Sequence, residues 1–302
     1  MSPSRPTPLP EAYALDRKAV RQSFDAASGS YDGAAALQTV IRAQLLDRLK
    51  LVRLAPTAIL DLGAGTGHAT KALKRLYPRA QVIALDVALG MLREARRQRS
   101  LLHRFHRVCA SAFRLPLRDR SVDLVYSNLM LQWCDEPDEV FAEIQRVLKP
   151  HGLFTFTSFG PDTLQELRRS WAQVDAHTHV NHFIDMHDLG DALVRARLAE
   201  PVMDMERYTL TYPSVMGLLQ DLKAIGAHNV TTGRRRGLTG KESLAGMQRA
   251  YEASRRDGVL PATYEVVFGQ AWRGEDPAQR VVTPGEVRIS PASIGRRSPP
   301  GT

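Results

Sequence analysis

The 302 residues suffice for one large domain or for one domain with a lid, and a hydrophobic content of 43% supplies an ample core. No apolar run reaches 18 residues, which excludes a membrane-spanning helix, and the proline-containing start MSPSRPTPLPEAY has no apolar h-region and so reads as a short disordered leader (1–13), not a secretory signal. The net charge of +9 sits in the first half: residues 1–150 hold 23 Lys and Arg against 15 Asp and Glu, whereas 151–302 hold 18 against 17, and this favours an acidic partner over a nucleic acid, for which no binding module is recognisable.

In chain order, Ala14–Ala27 reads as a helix with Val20 and Phe24 on one face, followed by a turn at Ser28–Asp32. A second amphipathic helix spans Ala34–Leu54, with Leu37, Ile41, Leu45 and Leu49 at helical spacing, and Pro56 stops it. Next comes ILDLGAGTG (59–67). An apolar strand closes on Asp61 and breaks into Gly63, Gly65 and Gly67, with a helix starting near His68. Glycine permits positive φ and lets the backbone approach a ligand closely. The next strand, Gln81–Asp86, ends on a carboxylate 19 residues after Gly67, where a ribose-binding acid belongs in a nucleotide-binding βαβ unit.

Arg93–Arg107 then concentrates six arginines against Glu94, either a solvated helix face or a docking patch for an acidic partner. Strands follow at Arg107–Ala112, Ser121–Asn128 and Leu153–Ser158, with a helix at Pro137–Leu148. Strands alternating with helices predict a doubly wound, mostly parallel, Rossmann-like α/β sheet, with ligands beyond the strands' carboxyl ends. Asn128, Gln132 and Trp133 fall at that mouth. Beyond it lie helices at Thr163–Val174, Met186–Leu198, Pro213–Ile225 and Lys241–Tyr251, and strands at Val202–Tyr212 and Thr263–Gln270. The span of about 160–240 reads as a helical lid on a domain covering 14–272, and the Gly/Pro/Ser/Arg-rich 273–302 as a mostly disordered tail. His177, His179, His182 and His187 lack the Cys or paired carboxylates of a metal site, so no metal is expected. The two cysteines, Cys109 and Cys134, suggest no disulfide framework and fit a reducing cytoplasm.

GxGxG preceded by Asp61, and followed at distance by Asp86, resembles motif I of the class I S-adenosylmethionine-dependent methyltransferases. The resemblance implies this cofactor, with Asp61 near its ammonium, Asp86 on its ribose and Met91 against its adenine. Met91 also suits a core position. It further implies roles for Tyr31, within SFDAASGSYD (23–32), in closing the cofactor pocket, and for Asn128 beside it. Methyltransferases usually carry an acid where this chain has Ser111, so adenine recognition here lacks charge assistance.

Several further stretches resemble the malonyl-acyl-carrier-protein O-methyltransferase family of biotin synthesis: SNLMLQWC (127–134), TLQELRRSWAQVD (163–175), HVNHF (179–183), LKAIGAHN (222–229) and ATYEVVFGQAW (262–272). This implies methyl transfer to the free carboxylate of a malonyl thioester on acyl carrier protein, with no general base, since no proton leaves. Gln132, Trp133, His179, His182 and Arg168 are the expected substrate contacts, and Arg169 and Arg234–Arg236 are further candidates for the carboxylate. A second resemblance, at HDLG (187–190), TYP (211–213) and LPATY (260–264), is to the complex I assembly factors that act on a protein arginine.

Overall fold

The computed structural model describes residues 11–100, 104–234, 237 and 239–274. Seven strands form one sheet: β1 (Ala58–Leu62), β2 (Gln81–Asp86), β3 (His106–Cys109), β4 (Val122–Asn128), β5 (Leu148–Phe159), β6 (Leu198–Tyr212) and β7 (Leu260–Arg273). Their order is β3-β2-β1-β4-β5-β7-β6. β1 to β5 run parallel, and β7 lies antiparallel between β5 and β6. The helices are α1 (Arg17–Ala27), α2 (Tyr31–Ala34), α3 (Ala36–Lys50), α4 (His68–Leu76), α5 (Leu89–Ala95), α6 (Pro137–Val147), α7 (Gln165–Ala172), α8 (Met186–Arg195), α9 (Val215–Ala224) and α10 (Lys241–Glu252).

Both faces of the sheet are covered, which is why its inner strands are apolar almost throughout. Ile59 of β1 joins the core under α3, with Ile41, Leu45 and Leu49, while Leu60 and Leu62 join the core under α6, with Phe141 and Ile144. β5 and β7 approach closely because Gly269 presents no Cβ to the Phe156 ring, which stacks on Phe154 at 4.8 Å.

The helix and strand readings place these elements to within a few residues, with three differences. β3 stops at Cys109, and Ala110–Phe113 leave the sheet as cavity wall. β5 begins at Leu148, earlier than expected, through a bulge opposite Val122–Leu124 that includes His151 at φ 60°. Within the span read as a lid, β6 is the edge strand of the sheet and α8 packs beside it, its charged, largely exposed face blunting the edge. At the start of the chain, Glu11–Tyr13 form a 3-10 turn held by Gly233 N–H to the Ala12 carbonyl, so the expected leader is ordered from residue 11. The remainder of that leader (1–10) and the expected tail from 275 lie outside the described residues.

Candidate active site

The strand order reverses between β1 and β4, and a cleft opens where their carboxyl ends part. It measures about 830 Å³, its solvent-open part included. Four strand ends supply its floor: Leu62, Gly63 and Gly65 at the end of β1, Leu85–Val87 at that of β2, Ala110–Phe113 after β3, and Asn128–Met130 at the end of β4. Tyr31, Asp86, Met91, Ser111 and Asn128, all expected here from sequence, line it together with Trp133.

All three glycines of the turn are left-handed, at φ +76°, +52° and +82° for Gly63, Gly65 and Gly67. They do different work. A Cβ on Gly65 would meet nothing within 4 Å, so that glycine borders open cavity. A Cβ on Gly67 would come 2.8 Å from Ala95 Cβ, so Gly67 lets α4 pack on α5 and does not line the cleft. The turn is pinned to the end of β2 because Asp86 accepts Gly65 N–H at 2.9 Å and Ala88 N–H at 2.8 Å. Each carboxylate oxygen keeps lone pairs for further donors. Burial raises the Asp86 pKa, with those backbone N–H groups opposing.

Asp61 departs from its expected place. It is 1% exposed, lies off the cleft wall and accepts the Thr70 hydroxyl at 2.5 Å, bracing the first turn of α4 from beneath the glycine turn. Its carboxyl is pushed up to about 7, chiefly by burial and further by Asp86, with Thr70 and Arg42 opposing. Unfolded, it would ionise near 3.8. Between these values the folded chain holds a proton that the unfolded chain has lost, so stability falls as pH rises through that window. Asp61→Asn should remove this loss, worth at most roughly 4 kcal/mol at 1.36 kcal/mol per unit. Urea denaturation of both proteins on either side of the window measures it; equal pH slopes would count against a buried, protonated Asp61.

The roof of the cleft comes from α1. Val20 and Phe24, read from sequence as sharing one helix face, face the cleft, and Phe24 meets Trp133 edge-on at 5.1 Å. Arg17 lies 3.5 Å over the Phe113 ring and pairs with Glu136. α1 is held by Asp25 accepting Gly90 N–H at 2.7 Å and by the Ser23 hydroxyl donating to the Gly226 carbonyl at 2.6 Å. Helical spacing gave the signal for this face; what lay opposite it did not show in the sequence.

A second cavity, of about 900 Å³ with its open part, shares Trp133 with the first. α7, α9 and their connections wall it, with Phe159, Leu167, Leu222 and Tyr264 among its apolar residues. Among the expected substrate residues, His179 lines it, stacked on Trp171 at 3.7 Å and paired with Asp175 at 2.8 Å. Three others lie off both cavities. Gln132 folds back in the short helical turn after left-handed Leu129 and donates to its carbonyl at 2.6 Å. Arg168 donates to the Pro161 and Thr163 carbonyls, tying down the turn before α7. His182 is exposed against Tyr13. Of the further carboxylate candidates, Arg234 pairs with Asp16, and Arg235 and Arg236 lie outside the described residues. Among the described residues no three His, Cys, Asp or Glu side chains converge on a metal position, and no helix is long and apolar enough to cross a membrane.

A family profile described as a methyltransferase domain matches residues 60–156. A malonyl-acyl-carrier-protein O-methyltransferase of Methylovorus sp. is 52% identical over 298 residues, 97% of this chain and 99% of that protein. The protein of that name from Gallionella capsiferriformans is 50% identical, covering 92% and 97%. Among solved structures, a putative methyltransferase of Bacillus halodurans superposes with a TM-score of 0.56 at 16% identity, covering 77% of this chain and all of that one. The [4+2]-cyclase SpnF does so with the same score at 19% identity, covering 88% and 100%. One fold thus carries different chemistries, and these two likenesses speak to architecture alone.

Sheet order, glycine turn and profile match together place the chain among the class I S-adenosylmethionine-dependent methyltransferases. Within that class it belongs to the malonyl-acyl-carrier-protein O-methyltransferase family, whose members match it along nearly its whole length.

Proposed function

We propose that this chain methylates the free carboxylate of a malonyl group carried as a thioester on acyl carrier protein. The observation that carries this reading is the 50–52% identity to two relatives of that name over 92–97% of this chain, a span that takes in both the cofactor turn and the segments walling the second cavity.

S-adenosylmethionine supplies, when bound, a methyl group on a sulfonium centre. The residues fit it: Gly65 leaves open space beside the turn, Asp86 offers acceptors to a ribose, and Met91 and Phe113 offer apolar surface to a base. Ser111 is the polar group at the adenine position and already accepts Phe113 N–H at 3.3 Å. Asp61 acts as a positioning residue, fixing α4 through Thr70. Val20, Phe24 and Trp133 exclude water, which strengthens the interactions inside. A carboxylate acceptor is nucleophilic without losing a proton, so the chain's task is alignment and desolvation, and no general base is required.

The second cavity suits the acyl thioester, entering between α7 and α9 and meeting the first cavity at Trp133. In this reading those helices provide the lid, and a cytoplasmic carrier protein, not nucleic acid, is the partner. The exposed Arg93, Arg96, Arg97, Arg99 and Arg104, around α5, give it a basic surface to approach. Incubation with S-adenosylmethionine and malonyl-acyl carrier protein should add one methyl group as an ester, read by mass spectrometry. Free malonate and RNA should remain unmodified. Methylation of RNA, or an unmodified malonyl carrier, would reject the reading.

A further inference from the structure

We propose that Gln38 is the donor that holds the substrate carboxylate, an assignment that rests on the malonyl-carrier reading above. Gln38 lies in the first turn of α3, is 9% exposed and lines the second cavity. Its amide makes no hydrogen bond to any described residue. The residue is nine-tenths buried, yet its amide atoms keep accessible surface on the cavity that Phe159, Leu164 and Trp171 also line, so the amide is free to bind a group placed there. The other buried polar residues of this wall are at least partly engaged. Thr163 donates to the Glu265 carbonyl and accepts its N–H, and Asn181 accepts Val230 N–H.

Position supports the same residue. Tyr31 lines the cofactor cleft, and seven residues later the chain reaches Gln38 on the wall of the second cavity, so α2 and the start of α3 run from one chamber to the other, and Trp133 lines both. A group held by Gln38 therefore lies in the chamber that shares a wall with the cofactor.

The chemistry explains an amide in place of a cation. A carboxylate oxygen gains the methyl group, the carbon–sulfur bond breaks with its electron pair staying on sulfur, and no proton moves. An anion and a cation thereby become an ester and a thioether, both neutral at the reacting atoms. Charge is fading at the transition state, so a lysine or arginine at the carboxylate would stabilise the ground state more and slow the step. A neutral N–H orients the carboxylate and leaves its second oxygen reactive. The basic residues lining this cavity leave that place to the amide: Lys223 and His228 are exposed, and His179 is paired with Asp175.

The test uses full-length protein, malonyl-pantetheine as probe, and S-adenosylhomocysteine, which has no methyl to transfer. Calorimetry should show malonyl-pantetheine affinity falling at least about tenfold in Gln38→Leu, and further in Gln38→Glu, whose carboxylate repels the probe. Acetyl-pantetheine, without the carboxylate, should bind wild type and Gln38→Leu alike. S-adenosylmethionine affinity should hold within about twofold in both variants, and the melting temperature of Gln38→Leu should not drop, because the lost amide had no partner. Unchanged malonyl-pantetheine affinity in Gln38→Leu, or an equal loss for both probes, overturns the assignment alone. A wild type that binds S-adenosylmethionine but neither binds malonyl-pantetheine nor methylates the malonyl carrier overturns the substrate reading and this assignment together.

Discussion

Asp86→Ala is expected to weaken S-adenosylmethionine binding by roughly 2–4 kcal/mol, the scale of charged hydrogen bonds left unmade in a buried site. Two losses combine. Ribose hydroxyls would lose a charged acceptor, and Gly65 and Ala88 would lose the carboxylate that fixes the turn to β2. Asp86→Asn separates them. Its amide oxygen can still accept one backbone N–H, so the turn should stay closer to its native form while the charge is gone. Calorimetry reports the affinity and a thermal melt reports the scaffold. Undiminished affinity in both variants would remove Asp86 from the cofactor site.

Gly63→Ala should have the second large effect, and its contrast with Gly65→Ala is the informative part. At φ +76° an alanine pays for the left-handed backbone, and its methyl would lie 2.5 Å from Met130 Cβ and closer still to Cγ. Backbone cost and overpacking together come to roughly 2–4 kcal/mol of stability. Gly65→Ala carries the same backbone cost, about 1–2 kcal/mol, without a clash. Its methyl instead enters the space assigned to the cofactor. Gly63→Ala should therefore show mainly as a lowered denaturation midpoint, and Gly65→Ala mainly as lost S-adenosylmethionine affinity. Should Gly65→Ala bind normally, the turn does not face the ligand.

What was legible in the residues was whatever depends on near neighbours. A buried strand ending in alternate glycines dictates a left-handed turn and a helix behind it, because φ preference and apolar runs act over a few residues. The distance from that turn to Asp86 followed from one βαβ unit, and the alternation of strands and helices gave the parallel sheet. Resemblance added the cofactor and the family, and both hold.

Only the tertiary structure decided which surfaces meet. The Val20–Phe24 stripe faces a ligand cleft because residues about 200 positions later hold α1 in place, through Ser23 and Gly226. Asp61 turns under the glycines because α4 places Thr70 within reach, and Gln132 turns back because Leu129 takes a left-handed backbone. β6 joins the sheet because β7 returns antiparallel and offers it an unpaired edge. Gln38 gave no signal in the sequence; the packing of α7 and α9 puts it on the wall of a chamber, where its amide has no partner among the described residues. Helical and strand periodicity fix which residues share a face; the packing of distant segments fixes whether that face meets core, solvent or ligand.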